Sequence, residues 1–351
     1  MRRFSCPHCG NQVHFGSNQC VKCASHLAYW GGDDRLLVVP SGDAKSDSGL
    51  PGYSLCKNRT LIGCNWIAPN TDPHGLCRSC LHTTEIPNIS DDTKRQYWSR
   101  LERAKRRLFY AILKFQLPLA TEFDDSVGSL RFELLGDHIG PDGIKKRIMT
   151  GHDDGLITIN IAEADDAIRE KNRVAMGEPY RTLIGHFRHE VGHYYWDQLV
   201  DTDGMIDSFR ALFGDERQDY ADSLATYYAN GPADDWRQSF VSTYATAHPW
   251  EDFAETWAHY FHMVGGLETA FAYGLNPQPL EPDAPHLVQL ADPYHVTDFD
   301  TLTSHWVPVT VAMNAMNRSI GNRDFYPFVL STRIKEKLKF IHDLIADAKP
   351  E

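Results

Sequence analysis

The chain has 351 residues, of which 42% are hydrophobic, and it carries a formal net charge of −12 at pH 7. This length suffices for a catalytic domain plus a smaller module, and the acidic balance argues against extended phosphate binding by the main domain. No apolar run of about 18 residues occurs and the N-terminus has no apolar signal core, so we expect a soluble, cytoplasmic protein with no membrane partner.

The N-terminal region carries a first set of four cysteines, in two C-x-x-C pairs. Cys6-Pro-His-Cys9 and Cys20-Val-Lys-Cys23 are separated by ten residues. Four thiolates at this spacing can close a tetrahedral zinc site in a region with too few apolar residues to fold on core burial alone. All eight cysteines of the chain lie between positions 6 and 80, which a disulfide-stabilised secreted enzyme would not show.

A second set of cysteines follows, with one tight pair and two separate members. His74 and His82 are possible substitutes for one thiolate of this set. Together the two sets predict an N-terminal zinc-ribbon module over residues 1–88, followed by the main domain over residues 89–351. The module could dock on protein or nucleic acid, or be purely structural. The predicted ligands of its second zinc ion are Cys56, Cys64, Cys77 and Cys80.

The segment between the two sets, Pro40–Gly52, reads as a linker, and the segment after them predicts a long helix. Ser90 is its expected N-cap and Phe115 its approximate end. We interpret its basic residues as a solvated face that balances the acidic body; the alternative is contact with nucleic acid or another anionic surface. These residues are Lys94, Arg95, Arg100, Arg103, Lys105, Arg106 and Arg107.

Residues 130–135 and 156–161 predict two strands, and residues 162–176 predict a helix. The second strand, Leu-Ile-Thr-Ile-Asn-Ile, could lie at a sheet edge and pair with an extended peptide, or it could be an interior strand unrelated to substrate. The sequence leaves both possibilities open.

The motif His189-Glu-Val-Gly-His193 is the H-E-x-x-H pattern, within a predicted helix that Pro179 could open. Residues four apart lie on one helical face, so both imidazoles can bind one zinc ion. Glu190 lies beside them and can act as a general base without occupying the open coordination position.

Two histidines leave zinc one protein ligand short. The metzincin pattern is excluded because Trp196 and Leu199 occupy the positions where it needs Gly and His. Asp201 and Asp203 are near enough in sequence to be considered. A better source is the helix predicted to open at Pro249, which projects three polar residues from one face, at four-residue spacing. They are Glu251, Glu255 and His259.

His-Glu-Val-Gly-His followed by Glu251-Asp-Phe-Ala-Glu255 resembles the gluzincin metallopeptidases, and it is similar to the anthrax lethal factor type of peptidase domain. The resemblance implies that Glu251 is the third zinc ligand and that Glu255 supports a zinc histidine. The whole chain, including the cysteine pairs and Tyr326-Pro-Phe-Val-Leu, resembles a bacterial family of zinc-ribbon metallopeptidases. The expected fold is therefore α+β, a zincin-like metallopeptidase domain with an N-terminal zinc ribbon.

The expected reaction is peptide hydrolysis, in which Glu190 deprotonates water on one catalytic zinc while two further zinc ions are structural. Tyr244 is the candidate donor to the oxyanion, because it precedes the ligand helix and also resembles a tyrosine of the lethal factor type of site; His248 competes for this role. The alternatives are a non-catalytic zinc-stabilised adaptor and a protease recruited to nucleic acid. Helices are also predicted over residues 302–320 and 331–348, with four core aromatics nearby: Trp306, Phe325, Tyr326 and Phe328.

Overall fold

The computed structural model describes residues 1–40, 49–121, 123, 128–139, 145–176, 178–179, 181–201, 204–279 and 283–349. Residues 41–48 of the predicted linker lie outside this range. The chain forms two compact units, which we call the helical unit (Met1–Arg2, Lys114–Pro118 and Arg188–Glu351) and the ribbon unit (Arg3–Leu113 and Leu119–Phe187). Helices combine with small sheets, which confirms the α+β class. Compact packing and sequence domains need not share a boundary, so the boundary between residues 88 and 89 stays a prediction.

Each C-x-x-C pair of the first cysteine group is followed by a turn of the same kind. The amide of Gly10 donates to the Cys6 carbonyl and the amide of Ala24 to the Cys20 carbonyl, each at 2.9 Å. Gly10 and Ala24 have positive φ, 70° and 58°, which turns the chain back directly after the second cysteine. Short elements surround the cysteines: β1 Phe4–Ser5, β2 Gln12–Val13, β3 Leu27–Trp30, β4 Arg35–Val38, β5 Tyr53–Leu55, α1 Arg59–Ile62, β6 Ile67–Pro69 and α2 Arg78–Leu81.

The ribbon unit also contains a four-stranded sheet. Its strands are β7 Thr83–Glu85, β8 Arg131–Leu135, β11 Gly151–Asp153 and β12 Leu156–Asn160, in the order β11-β12-β8-β7. The two predicted strands are confirmed, but the edge position considered for the second is wrong, because β12 pairs with β8 on one side and β11 on the other. Its main-chain groups are therefore used within the sheet. A separate pair is formed by β9 His138–Ile139 and β10 Lys145–Lys146.

The long helix α3, Asp92–Phe115, begins later than a Ser90 cap would place it. Asp91 takes the capping role, because its carboxylate accepts from the Thr93 amide at 2.8 Å. The expected exposed basic face is wrong for two residues: Lys105 is 0% exposed and Arg106 is 3% exposed. The ammonium of Lys105 lies 3.1 Å from the Glu102 carboxylate.

The helix predicted over residues 162–176 is interrupted. A 3-10 turn, Ile161–Ala164, precedes α4, Asp166–Ala175. Between them, the Asp165 carboxylate accepts from two amides of the first turn of α4 and so starts a new helix.

In the described part of the chain, six α-helices follow: α5 Leu183–Leu199, α6 Ile206–Phe213, α7 Tyr220–Asn230, α8 Pro249–Ala272, α9 Phe299–Ser319 and α10 Thr332–Asp347. The predicted start of α5 at Pro179 is wrong, because Thr182 caps it: its hydroxyl accepts from the Gly185 amide at 3.0 Å. The start of α8 at Pro249 is confirmed. Of the four aromatics assigned to the core, Trp306 and Tyr326 are buried, Phe328 is partly buried and Phe325 is 38% exposed. Among the described residues, no helix has both the length and the apolar character needed to cross a membrane.

Candidate metal centre

Helices α5 and α8 approach closely where the H-E-x-x-H motif lies. A Cβ on Gly192 would stand 3.0 Å from the Cα of Ala254 and 3.3 Å from its carbonyl oxygen. Glycine between Glu190 and His193 therefore lets the backbones of the two helices come together. This contact brings the first turns of α8 opposite the two histidines of α5.

Three donor atoms converge at this contact. Nε2 of His189 lies 3.0 Å from Oε2 of Glu251, and Nε2 of His193 lies 3.6 Å from the same oxygen. Each of the three residues offers one ligand atom, and these atoms all lie within 4.8 Å of one another. Residues from two different helices thus present two imidazoles and one carboxylate to one point.

Glu255 stands one turn further along α8 and contacts the other side of His189. Its Oε1 lies 2.7 Å from Nδ1 of His189. Burial would raise the pKa of Glu255, but hydrogen bonding to His189 and the charge of this imidazole lower it to about 2. Glu255 is therefore ionised and orients the ring of His189, in the way that metal-ligating histidines are usually oriented.

Glu190 and Tyr244 lie beside this group. Glu190 is buried, and the ring of Tyr244 lies 5.9 Å from that of His189. Burial raises the pKa of Tyr244 far above its usual range, and the charges of Glu251 and Glu190 contribute to the rise. The Tyr244 hydroxyl therefore keeps its proton and remains a hydrogen-bond donor.

His248 has a different task from the one considered for it. Its Nδ1 accepts from the Trp250 amide at 3.1 Å, which caps α8. Its Nε2 then carries the proton and donates to the Gln218 carbonyl at 3.2 Å. With both ring nitrogens engaged, His248 serves the entry of α8 and the start of α7 rather than an oxyanion.

Tyr220 is a site residue that the sequence reasoning did not find. It is the first residue of α7, and its hydroxyl donates to Oε1 of Glu251 at 2.5 Å. The two residues are 31 positions apart in the chain and belong to no shared motif. Only the aromatic-rich composition of residues 220–228 offered a signal.

The chemistry of these side chains fits a divalent cation. Glu251 is 1% exposed, and neither it nor Glu255 has a lysine or arginine partner among the described residues. Burial would raise the pKa of Glu251, but the neighbouring imidazoles of His193 and His189 hold it well below its usual range. Buried carboxylates need a compensating positive charge. Two imidazole nitrogens and one carboxylate oxygen are a common zinc ligand set that leaves a position open.

The cysteines form two further groups in the ribbon unit. Cys6, Cys9, Cys20 and Cys23 are one group, and Cys56, Cys64, Cys77 and Cys80 are the other; within each group the sulfurs lie within 4.8 Å of one another. The eight cysteines form no disulfides. Four sulfurs at one point are the ligand set of a closed structural zinc site.

The other ligands considered from the sequence lie elsewhere. His74 stacks on Phe123, and Nδ1 of His82 lies 2.7 Å from the Leu130 carbonyl. Asp201 belongs to none of the ligand groups in the described part of the chain, and Asp203 lies outside it. His259 also turns away, since its Nδ1 lies 2.8 Å from the Tyr326 hydroxyl.

Comparison with known proteins gives two family matches. Residues 94–344 match the model described as "putative zinc-binding metallo-peptidase", and residues 3–91 match a zinc-ribbon domain. Two uncharacterized proteins, one from Mycobacterium bovis and one from Mycobacterium tuberculosis, are each 40% identical over 352 residues, which covers 100% of this chain and 97% of theirs. No solved structure matches the chain, so the similarity to the lethal factor type stays an expectation.

Proposed function

Because the chain belongs to this family of zinc-binding metallopeptidases with a zinc ribbon, we propose that it hydrolyses peptide bonds at the centre formed by His189, His193 and Glu251. One observation carries the proposal: Nε2 of both histidines faces the same oxygen of Glu251, at 3.0 and 3.6 Å. These three residues would hold the catalytic zinc. When bound, the zinc supplies Lewis-acid chemistry for the scissile carbonyl and for water.

Glu190 is the proposed general base and acid. Its carboxylate accepts a proton from the attacking water as the new carbon–oxygen bond forms. It then gives this proton to the nitrogen of the leaving amine as the carbon–nitrogen bond breaks. Its place in the chain beside His189, on the same turn of α5, supports this role.

Tyr244 is the proposed donor to the carbonyl oxygen while negative charge develops there. The nearness of its ring to that of His189 and the retained proton of its hydroxyl support this role. Glu255 keeps His189 oriented through the Nδ1 hydrogen bond. The aromatic ring of Trp250 packs edge-on against that of His193, with 4.9 Å between the ring centroids.

We also propose three zinc ions per chain, one catalytic and two structural in the cysteine groups. Eight cysteines in two groups of four, without disulfides, support a reducing, cytoplasmic location. The ribbons remain candidates for docking a partner. The nucleic-acid alternative has less support than the sequence suggested, because Lys105 and Arg106 are buried and Arg95 and Arg100 face Asp92 and Asp166 at 2.6 and 3.7 Å.

The decisive experiment compares the full chain with Glu190→Gln on a complex peptide mixture, identifying new termini by mass spectrometry. We expect termini that the wild-type protein produces and the variant does not, at equal zinc content. If the zinc-loaded wild-type protein produces no termini beyond those of the variant, the proposal fails and the non-catalytic adaptor becomes the better interpretation.

A further inference from the structure

The two oxygens of the Glu251 carboxylate have different neighbours. Oε2 lies 3.0 Å from Nε2 of His189 and 3.6 Å from Nε2 of His193, whereas Oε1 accepts a hydrogen bond from the Tyr220 hydroxyl at 2.5 Å. A carboxylate can bind a metal through one oxygen or through both. Here a hydroxyl engages one oxygen and leaves the other facing the histidines.

The position of Tyr220 is set by the helix that carries Glu251. Its ring packs edge-on against His248, the N-cap of α8, with centroids 5.2 Å apart. Nε2 of His248 also donates to the Gln218 carbonyl, and the Asp219 carboxylate caps α7 by accepting from the Asp222 amide at 2.8 Å. Since α7 contains no buried residue, these contacts, rather than a packed core beneath the helix, hold its first turn in place.

We propose that Tyr220 is a positioning residue that restricts Glu251 to metal binding through Oε2. This inference rests on the proposed metal centre. Glu255, on α8, orients one histidine ligand, and Tyr220, on α7, orients the carboxylate ligand. Each of the two ligands is held by one hydrogen bond. Hydrogen bonds to metal-ligating groups typically contribute about 10- to 100-fold in metal affinity.

The test is Tyr220→Phe, which removes the hydroxyl and keeps the ring against His248. Zinc affinity of the histidine site is measured by competition with a chelator, and its ligand geometry by the visible spectrum of cobalt(II) bound there. His193→Ala supplies the spectrum of cobalt at the cysteine groups. Ser223→Ala is the matched control, because its hydroxyl lies on the same helix and donates to the Asp219 carbonyl of its own helix cap.

We expect Tyr220→Phe to weaken zinc binding roughly 10- to 100-fold and to change the cobalt spectrum, while Ser223→Ala changes neither. Unchanged affinity and spectrum in Tyr220→Phe would overturn the proposal, even if turnover falls, since Tyr220 would then act on the substrate. Both measurements are made without substrate, so they stand independently of whether hydrolysis is found.

A second inference comes from the ribbon unit. Arg106 is buried, its Nη1 has no hydrogen-bond partner, and no ion pair among the described residues includes it. The acidic residue nearest to it on α3, Glu102, is paired with Lys105, and Oε1 of Glu102 accepts hydrogen bonds from both Lys105 and Thr83. A buried guanidinium without a partner is unfavourable unless negative charge compensates it.

The second cysteine group lies where this charge is needed. On the same face of α3, the Ser99 hydroxyl donates to the Ile62 carbonyl at 2.9 Å, and the Phe109 ring lies 4.9 Å from that of His82. These two contact partners flank the second cysteine group, since Ile62 precedes Cys64 by two residues and His82 follows Cys80 by two. Arg106 lies on α3 between Ser99 and Phe109. Its side chain therefore faces the same cysteine group.

We infer that Arg106 balances the charge of a zinc tetrathiolate formed by Cys56, Cys64, Cys77 and Cys80. Four thiolates with one Zn²⁺ carry a net negative charge, which the buried guanidinium offsets. The second zinc site and α3 then stabilise each other. The charge of the zinc tetrathiolate lowers the free-energy cost of burying the arginine, and the arginine strengthens metal binding.

This inference predicts effects of opposite sign in the two metal states. In the zinc-loaded protein, Arg106→Met should speed zinc loss from the second cysteine group at least about 10-fold and lower Tm. In the metal-free protein the same substitution should raise Tm, because it removes a buried charge that nothing compensates. Arg103→Met, at an exposed position on α3, is the control. Arg106→Lys should keep most of the zinc retention.

Two results would overturn the charge-balance role: a lower Tm for Arg106→Met in both metal states, or zinc loss at the wild-type rate. If the metal-free chain does not fold, the rates of zinc loss from Arg106→Met and Arg106→Lys test the proposal. Slower zinc loss from Arg106→Lys supports charge balance, because a purely steric role would not favour lysine over methionine. Equal rates would overturn it.

Discussion

His189 and Glu255 are joined through Nδ1 and Oε1 at 2.7 Å, and this contact determines which nitrogen of His189 is free. Nε2 of the same ring faces Oε2 of Glu251 at 3.0 Å. Burial would lower the pKa of His189, but hydrogen bonds to Glu251 and Glu255 and the charges of these two carboxylates raise it well above its usual range. The same negative charge at Nε2 favours a divalent cation in place of a proton.

Separate substitutions of Glu251 and Glu255 test the roles of the two glutamates. Glu255→Gln should keep a zinc ion but weaken its binding about 10- to 100-fold, because the amide can still face the ring of His189 without its charge. Glu251→Ala should lose the zinc of this site altogether, since it removes a ligand atom. Metal analysis after dialysis against graded chelator measures both. If Glu255→Ala empties the site and Glu251→Ala retains zinc, the two assignments are reversed.

Metal content gives a prediction for the whole chain. We expect three zinc ions per chain, with the zinc at the histidine site leaving first under mild chelation, because an open site is more accessible than a closed four-sulfur one. Stoichiometry is followed by elemental analysis, with His193→Ala as the variant expected to hold two. An active wild-type protein that contains a single zinc would contradict this prediction.

Tyr244→Phe tests the oxyanion donor. Turnover should fall roughly 10²- to 10³-fold with zinc content and Tm unchanged, because only the hydroxyl is removed. The measurement is the kcat of a purified, zinc-loaded variant on a substrate found in the cleavage experiment. Wild-type turnover in Tyr244→Phe would eliminate the assignment, and parallel loss of zinc would show that the hydroxyl serves the metal instead.

Gly192→Ala tests the close approach of α5 and α8. Its Cβ would meet the Ala254 backbone at 3.0 Å, so the helices must separate, which should cost about 1–3 kcal/mol of unfolding free energy. The separation should also weaken zinc binding, since the histidines and Glu251 lie on opposite sides of this contact. Chemical denaturation and chelator competition measure the two effects, with Gln198→Ala as the control on α5. A variant as stable as wild type would refute the steric argument.

The sequence alone determined the parts of the metal sites in which the ligand residues are close together in the chain. The four-residue spacing of His189 and His193 produces a shared face on any α-helix, and Pro249 after His248 marked the start of α8. The C-x-x-C pairs likewise predicted the sulfur groups. These are local properties, which depend on helix and turn geometry rather than on the arrangement of the whole chain.

Only the tertiary structure decided which distant residues meet. It placed Tyr220 on Glu251, buried Lys105 and Arg106 within a helix that reads as basic and exposed, and set β12 inside its sheet. The spacing of residues in the sequence cannot predict these contacts. Whether a charged side chain is buried, or whether a strand has a neighbour on both sides, depends on elements far away in the chain. Burial and pairing are properties of the packed molecule, whereas spacing is a property of the sequence.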